Sequence, residues 1–202
     1  MRNIILSIEH DHDCEMPESE VNGWKLVSFS RRHINQGDPN DYFTSKGKIA
    51  SKYNSKHRVG LFHVLSYYEH GGSEWSLRGE GMQCQWDSVS VAGVLVWTGK
   101  PGDMGAKTNE EREKDARNFL KEYNEWANGN CYYYSLTTDD GEDVGGCGGI
   151  IGSDYLAEII GEDLEPGDRV KVEGEMHFLG EYLKFPAGVE MVDDFDDEEE
   201  AA

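Results

Sequence analysis

The sequence feature that most constrains the fold is the run MQCQWDSVSVAGVLVW at residues 82–97, the longest apolar and β-branched stretch in the chain. Its polar beginning, which includes Cys84, Trp86 and Asp87, is followed by closely spaced valines. A continuous apolar run of this kind is typical of a strand buried on both faces. The sequence therefore predicts a core strand here, with the other elements packed around it.

The rest of the chain predicts an α+β fold with a mainly antiparallel sheet. Alternating or continuous apolar residues predict further strands at 4–8, 24–30, 59–68 and 131–137, and a C-terminal hairpin with strands at 169–178 and 181–185. Thr108 and Glu111 form a capping box at the start of the main amphipathic helix, predicted at about 109–128. A short second helix is predicted at about 153–160.

A chain of 202 residues is long enough for one ordinary domain. We expect a single domain over residues 1–192, with 99–108 and 161–167 as the places where it would subdivide. Residues 193–202 predict a disordered acidic tail, because like charges repel and only Phe195 offers an apolar side chain to bury. No apolar run reaches the roughly 18 residues that span a bilayer, so we expect a cytoplasmic protein without a membrane partner, and the oligomeric state is left open.

The formal net charge of −21 is unevenly distributed along the chain. Residues 1–136 carry 19 acidic and 16 basic side chains, whereas residues 137–202 carry 21 acidic and 3 basic ones, a charge of −18. A charge field of this strength steers partners and repels polyanions. Ordered carboxylates of this region could replace phosphates in a basic groove. The candidate partner-binding residues are Asp139, Asp140, Glu142, Asp143, Glu162, Asp163, Glu173 and Glu175.

A basic segment lies between residues 25 and 58. Its part from residue 35 to residue 58 lacks a helical or strand period, so we expect a long mobile loop there. Its aromatic residues Tyr42, Phe43 and Tyr53 could stack on bases. The basic segment therefore has two interpretations. One is nucleic-acid binding, and the other, which we favour, is a surface loop whose cations pair with the acidic end of the same chain. The candidate nucleic-acid-binding residues are Arg31, Arg32, Lys46, Lys48 and Lys52.

The run EHDHDC at residues 9–14 resembles a metal-binding cluster. His10, His12 and Cys14 would share one face of an extended chain, and imidazole and thiolate ligands suit zinc. A solvated acidic loop is the favoured interpretation, because a metal site also needs ligands that converge from elsewhere in the fold. No complete catalytic or cofactor motif occurs in the chain, so no cofactor is predicted and a non-enzymatic protein is favoured over an enzyme.

Four stretches carry a resemblance to a known family: WKLVSFSRRH at 24–33, LFHVLSYYEHGG at 61–72, CQWDS at 84–88, and YNEWANGNCYYYSL with GCGGIIGSDY within 123–155. They resemble a family of uncharacterised accessory proteins encoded by tailed bacteriophages. The family has a bulky aromatic near Gly148 or Gly149 that this chain lacks. The resemblance implies a phage origin and no particular activity.

Together, these observations favour a phage accessory protein that binds and inhibits a host defence or nucleic-acid-processing protein by mimicking DNA. The host protein would offer a basic surface to the carboxylates. Direct nucleic-acid binding through the basic segment and a metal-dependent enzyme around His10, His12 and Cys14 are the alternatives.

Overall fold

Two β-sheets organise the part of the chain that the computed structural model describes, namely residues 2–17, 23–33, 38–44, 48–100 and 102–195. The chain divides into two compact units. Unit 1 comprises residues 1–15 and 129–202, and unit 2 comprises residues 16–128. These borders differ from the predicted subdivision points at 99–108 and 161–167. The fold is mixed α+β and mainly sheet, which confirms the predicted class.

The elements are numbered in chain order. The strands are β1 (Asn3–His10), β2 (Trp24–Ser28), β3 (Phe62–Glu69), β4 (Ser73–Leu77), β5 (Ser88–Trp97), β6 (Cys131–Thr138), β7 (Asp143–Ile151), β8 (Arg169–Glu173) and β9 (Glu190–Met191). The α-helices of the described residues are α1 (Asn54–Arg58), α2 (Asn109–Ala127) and α3 (Leu156–Asp163), and short 3₁₀ helices span Pro39–Asp41, Ser51–Tyr53 and His177–Tyr182.

The sheet of unit 2 is antiparallel, with the strand order β2-β5-β3-β4. Strand β5 begins at Ser88, so residues 82–87 of the predicted core strand lie outside it. Ala92–Trp97 are buried, whereas Val89 is 52% exposed. This difference between the two halves of β5 follows from its pairing. Strand β2 pairs only with the second half of β5, so the first half has a neighbouring strand on one side alone. The prediction of burial on both faces therefore holds for the second half and is wrong for the first.

Both faces of the unit 2 sheet are covered. Helix α2 packs on one face through Ala116, Phe119, Leu120 and Tyr123, and its first turn has the reciprocal capping box of Thr108 and Glu111. Tyr42, Phe43, Ile49 and Tyr53 pack on the other face against Phe62 and Val94. The prediction of a long mobile loop is therefore wrong for the described part of residues 35–58, which forms short helices and part of a core.

The sheet of unit 1 has the order β7-β6-β1-β8-β9. The pairs β7-β6 and β6-β1 are antiparallel, and the pairs β1-β8 and β8-β9 are parallel. Ile4, Leu6 and Ile8 alternate along β1 and are fully buried, as the period of two predicts. They contact the side chains of α3, which begins at Leu156 rather than at residue 153.

The predicted C-terminal hairpin is absent. Strand β8 ends at Glu173, the chain turns at Gly174 with φ +90°, and residues His177–Tyr182 form a 3₁₀ helix. A Cβ on Gly174 would lie 2.7 Å from Oγ of Ser7, so only glycine permits this close turn beneath β1. The chain then returns as β9, parallel to β8. Apolar alternation alone could not distinguish a strand from a short helix that partly buries Leu179.

The start of the predicted acidic tail is attached to the sheet. Nη1 of Arg169 donates a 3.4 Å hydrogen bond to the backbone oxygen of Phe195, and Nζ of Lys171 lies 3.8 Å from Oδ1 of Asp194. Residues 196–202 lie outside the described residues. The predicted disorder therefore does not extend to residues 193–195.

Candidate partner-binding surface

The net charge of the protein belongs to unit 1. This unit has 25 acidic and 4 basic residues, a formal charge of −21, whereas unit 2 has 15 of each and is formally neutral. The described residues of unit 1 include 20 of the acidic and all 4 of the basic residues. The asymmetry is sharper than the sequence indicates because Glu9, Asp11, Asp13 and Glu15 belong to the same unit as the C-terminal third.

Half of the predicted partner-binding carboxylates lie at the turn between β6 and β7. They are all exposed: Asp139, Asp140, Glu142 and Asp143. Nδ2 of Asn3 donates a 2.9 Å hydrogen bond to Oδ2 of Asp139, and the hydroxyl of Thr138 donates one to Oδ1 of Asp140. Gly141 has φ +91°, which permits the tight turn. The turn therefore holds two of its four carboxylates in defined positions.

Glu162 and Asp163 are the last two residues of α3. Glu162 is exposed, whereas Asp163 is half-buried and its Oδ2 accepts a 2.7 Å hydrogen bond from the hydroxyl of Tyr134. Burial of the phenol, followed by its contact with Asp163, raises the pKa of Tyr134. Asp163 thus stabilises unit 1 as well as contributing charge.

Glu173 and Glu175 lie at and just beyond the end of β8. Nζ of Lys171 is 3.1 Å from Oε1 of Glu173. Glu175 is exposed and makes no hydrogen bond or ion pair with the described residues. The same holds for the carboxylates of Glu142, Asp143 and Glu162, so these four groups are the ones best placed to meet a partner.

Glu9 adds to this surface and was missed by the sequence reasoning. Its Oε2 accepts a 2.6 Å hydrogen bond from the hydroxyl of Tyr133, which is 124 residues away in the chain. That hydrogen bond is the largest cause of the raised pKa of Tyr133, and the charges of Glu9, Glu175 and Asp11 contribute to it. The alternation in β1 was the available signal, since it places Glu9 on the face opposite Ile4 and Ile8.

The eight predicted carboxylates form three groups rather than one patch. The turn group lies beside the start of β1, because Thr138 is paired with Ile4. Glu173 is paired with Ser7, three residues and about 10 Å further along β1. The end of α3 lies near β7, where a Cβ on Gly145 would be 2.6 Å from Oδ2 of Asp163. The surface therefore offers negative charge at several positions around one sheet.

The alternative nucleic-acid-binding residues are in unit 2. Arg31, Arg32, Lys48 and Lys52 are exposed, and Lys46 lies outside the described residues. Nη2 of Arg32 is 3.0 Å from Oε2 of Glu69, and Nζ of Lys52 is 3.8 Å from Oδ1 of Asp41. Two of the four described cations are thus paired within the unit.

The aromatic residues of the same segment are not available as a stacking platform. Tyr42 is only 8% exposed and its ring stacks on that of Tyr53, with centroids 4.9 Å apart. Tyr53 in turn stacks on the buried ring of Phe62, and Phe43 packs edge-on against Phe29. The expectation that these rings could stack on bases is therefore wrong for Tyr42, and the other rings serve the core.

The EHDHDC run does not continue as an extended strand. Strand β1 ends at His10, and a turn follows in which the backbone nitrogen of Asp13 donates a 3.1 Å hydrogen bond to Oδ1 of Asp11. The rings of His10 and His12 stack with centroids 6.1 Å apart, and Cys14 is half-buried. Among the residues that the structure describes, no group of three or more His, Cys, Asp or Glu side chains is placed to hold a metal ion.

All four cysteines lie within the described residues, and none of them forms a disulfide bond. Cys131 is buried, whereas Cys84 is half-exposed with its Sγ 3.5 Å from Oδ2 of Asp87, and Cys147 is exposed on β7. Cys84 lies outside the core because residue 84 precedes β5 instead of belonging to it.

The chain matches no protein-family model, no curated protein and no solved structure. None of the helices in the described ranges is long and apolar enough to cross a membrane.

Proposed function

We propose that this chain is a phage-encoded, non-enzymatic accessory protein whose unit 1 binds and inhibits a host defence or nucleic-acid-processing protein. The single observation that carries the proposal is that the whole formal charge of −21 falls on unit 1 while unit 2 is neutral. The partner would present the basic groove that it uses for nucleic acid. Unit 1 would occupy this groove in place of the phosphates.

The physical basis is electrostatic complementarity. A groove built for nucleic acid meets one phosphate charge per ~1.7 Å of duplex, and a strongly acidic unit is attracted to it over about one Debye length of ~10 Å. The carboxylate-bearing residues of unit 1 lie at a turn, a helix end and a strand end, where the fold fixes the positions of their backbones. Such pre-organisation lowers the entropic cost of binding.

The test is an affinity capture from infected host cells, followed by measurement of the captured protein's affinity for duplex DNA and for this chain. The informative variant is Glu142→Gln combined with Asp143→Asn, because neither carboxylate has an intramolecular partner within the described residues. The matched control is Glu74→Gln with Glu110→Gln, which removes the same charge from unit 2. We expect the first pair to weaken binding and the second to leave it unchanged.

Added salt should weaken the complex, and duplex DNA should compete with it. The proposal is wrong if the captured proteins include none that binds nucleic acid. It is also wrong if binding survives both high salt and the combined neutralisation of Glu142, Asp143, Glu162 and Glu175.

Two alternatives remain testable. Retention of nucleic acid on a filter at low salt, lost in Arg31→Ala, would support direct nucleic-acid binding by unit 2. A stoichiometric metal in protein purified without a tag would support a metal-dependent activity around His10, His12 and Cys14. Neither alternative is favoured by a specific contact in the structure.

A further inference from the structure

A groove of about 360 Å³ lies on unit 1 between the start of α3 and the segment around the 3₁₀ helix His177–Tyr182. Ala157 lines one side, and Leu179, Tyr182 and Leu183 line the other. This volume is at the lower end of the range of ~300–1,000 Å³ for pockets that enclose small ligands. The groove is therefore large enough for an apolar side chain together with a stretch of its backbone.

Aromatic side chains are exposed at and near this groove. Tyr182, which lines it, is 76% exposed, and Phe178 in the same 3₁₀ helix is 48% exposed. Large aromatic residues that remain in contact with water next to an apolar pocket are typical of the residues that contribute most binding energy in protein interfaces. The groove thus combines exposed aromatic rings with the apolar side chains of Ala157, Leu179 and Leu183.

Charge indicates what kind of segment would fit. Asp154 lines the groove, and Glu158, Glu162 and Glu181 are exposed on the two elements that form it. Lys184 is the only cation among the lining residues. An anionic ligand would meet net repulsion here, whereas a segment that carries lysine or arginine on both sides of an apolar residue would be attracted.

We propose that this groove receives an aliphatic side chain from a basic segment of the partner protein. The inference rests on the proposed function, since it names the point at which the acidic unit holds its partner. The charges of unit 1 attract the segment, and the apolar contact with Leu179 and Leu183 fixes its position. Charge alone sets the rate and the salt dependence, whereas the buried side chain sets the residence time.

The test uses the full chain and two synthetic peptides. One peptide has a single leucine between three lysines or arginines on each side, and the other has serine in place of the leucine. Burial of a leucine side chain contributes enough for about a 10-fold difference in affinity. We expect the leucine peptide to bind about 10-fold more tightly in a fluorescence anisotropy titration at low salt.

Two variants locate the contact. Ala157→Leu fills the groove and should reduce the difference between the peptides to less than about twofold, whereas Ala187→Leu, an exposed alanine outside the groove, should preserve it. Tyr182→Ala changes a 76% exposed side chain, so the fold should tolerate it, and it should also reduce the difference. Tyr155→Ala, at a 56% exposed tyrosine outside the lining, is its control.

The outcomes separate this inference from the proposed function. The proposed binding in the groove would be wrong if both peptides bound equally well. It would also be wrong if Ala157→Leu and Tyr182→Ala both kept the full preference for the leucine peptide. Either result would still be compatible with charge-driven binding to unit 1. Failure of both peptides to bind at low salt would overturn the attraction of unit 1 for basic segments and the groove with it.

Discussion

Tyr134 and Asp163 join strand β6 to the last residue of α3 through a 2.7 Å hydrogen bond from the phenol to Oδ2. The pair lies beside Gly145, where a Cβ would be 2.6 Å from the same carboxylate oxygen. Glycine in β7 therefore makes room for the carboxylate. Asp163, predicted from sequence as a partner-binding residue, is thus also part of the structure that positions Glu162 beside it.

Tyr134→Phe should lower the free energy of unfolding by about 1 kcal/mol at neutral pH, because it removes one hydrogen bond of a mostly buried group. Burial and the contact with Asp163 raise the pKa of Tyr134, so the native state binds the phenolic proton more tightly than the unfolded state. The contribution of the Tyr134 phenol to the free energy of unfolding is therefore complete below the unfolded pKa of about 10 and is lost as the pH rises beyond that value. Urea unfolding at neutral and alkaline pH measures both effects. Tyr182→Phe removes an exposed hydroxyl and should change neither the free energy of unfolding at neutral pH nor its dependence on pH.

Asp168→Asn should destabilise the protein by about 2 kcal/mol, because the carboxylate is 2% exposed and accepts charge-assisted hydrogen bonds. The hydrogen bond from Arg2 is the main cause of the lowered pKa of Asp168. The stabilisation is therefore present above the unfolded pKa of about 3.9 and declines as the pH falls below it. Denaturation curves at pH 7 and at acidic pH should show that the free energy of unfolding of the wild type approaches that of Asp168→Asn as the pH falls. A comparable loss in Glu165→Gln, whose carboxylate is 4.0 Å from Arg2, would contradict this assignment.

Asn124→Ala should lower the free energy of unfolding by about 2 kcal/mol, because it removes two hydrogen bonds. The side-chain amide of Asn124 accepts a 2.8 Å hydrogen bond from the backbone nitrogen of Trp75 and donates a 3.0 Å hydrogen bond to the backbone oxygen of Trp75. Strand β4 is at the edge of its sheet, and Trp75 is buried, so these backbone groups would otherwise lack partners. Thermal unfolding measures the loss. Asn118→Ala, on the exposed side of the same helix, should be neutral or slightly stabilising because alanine favours helix.

Gly93→Ala should destabilise unit 2 by more than about 2 kcal/mol, a size typical of overpacking in a core. A Cβ at this position in β5 would lie 2.6 Å from the backbone oxygen of Val27 in the adjacent strand β2. The backbone of β2 cannot move aside to make room for this Cβ as a flexible side chain could. Gly105→Ala, which has nothing within 4 Å and no positive φ, is the control and should unfold at the wild-type temperature. Equal stability of the two variants would refute the close packing of β2 on β5.

Local patterns in the chain were sufficient for the elements whose burial follows a simple period. The capping box of Thr108 and Glu111 and the apolar stripe of α2 depend only on residues within a few turns of each other. The alternation in β1 likewise indicates which of its side chains are buried. The aromatic residues near Tyr53 were misinterpreted because a basic, irregular stretch can still pack against a sheet, and that contact depends on Phe62.

The sequence by itself determined the α+β class, the main helix and the strong acidity of the C-terminal third, because composition and short-range period carry this information. Only the tertiary structure decided that β1 joins the C-terminal elements, so that the full charge of −21 belongs to one unit. It also decided that Glu9 meets Tyr133 and that Asp163 meets Tyr134. Pairing between distant strands depends on the packing of the whole sheet, which no local pattern specifies.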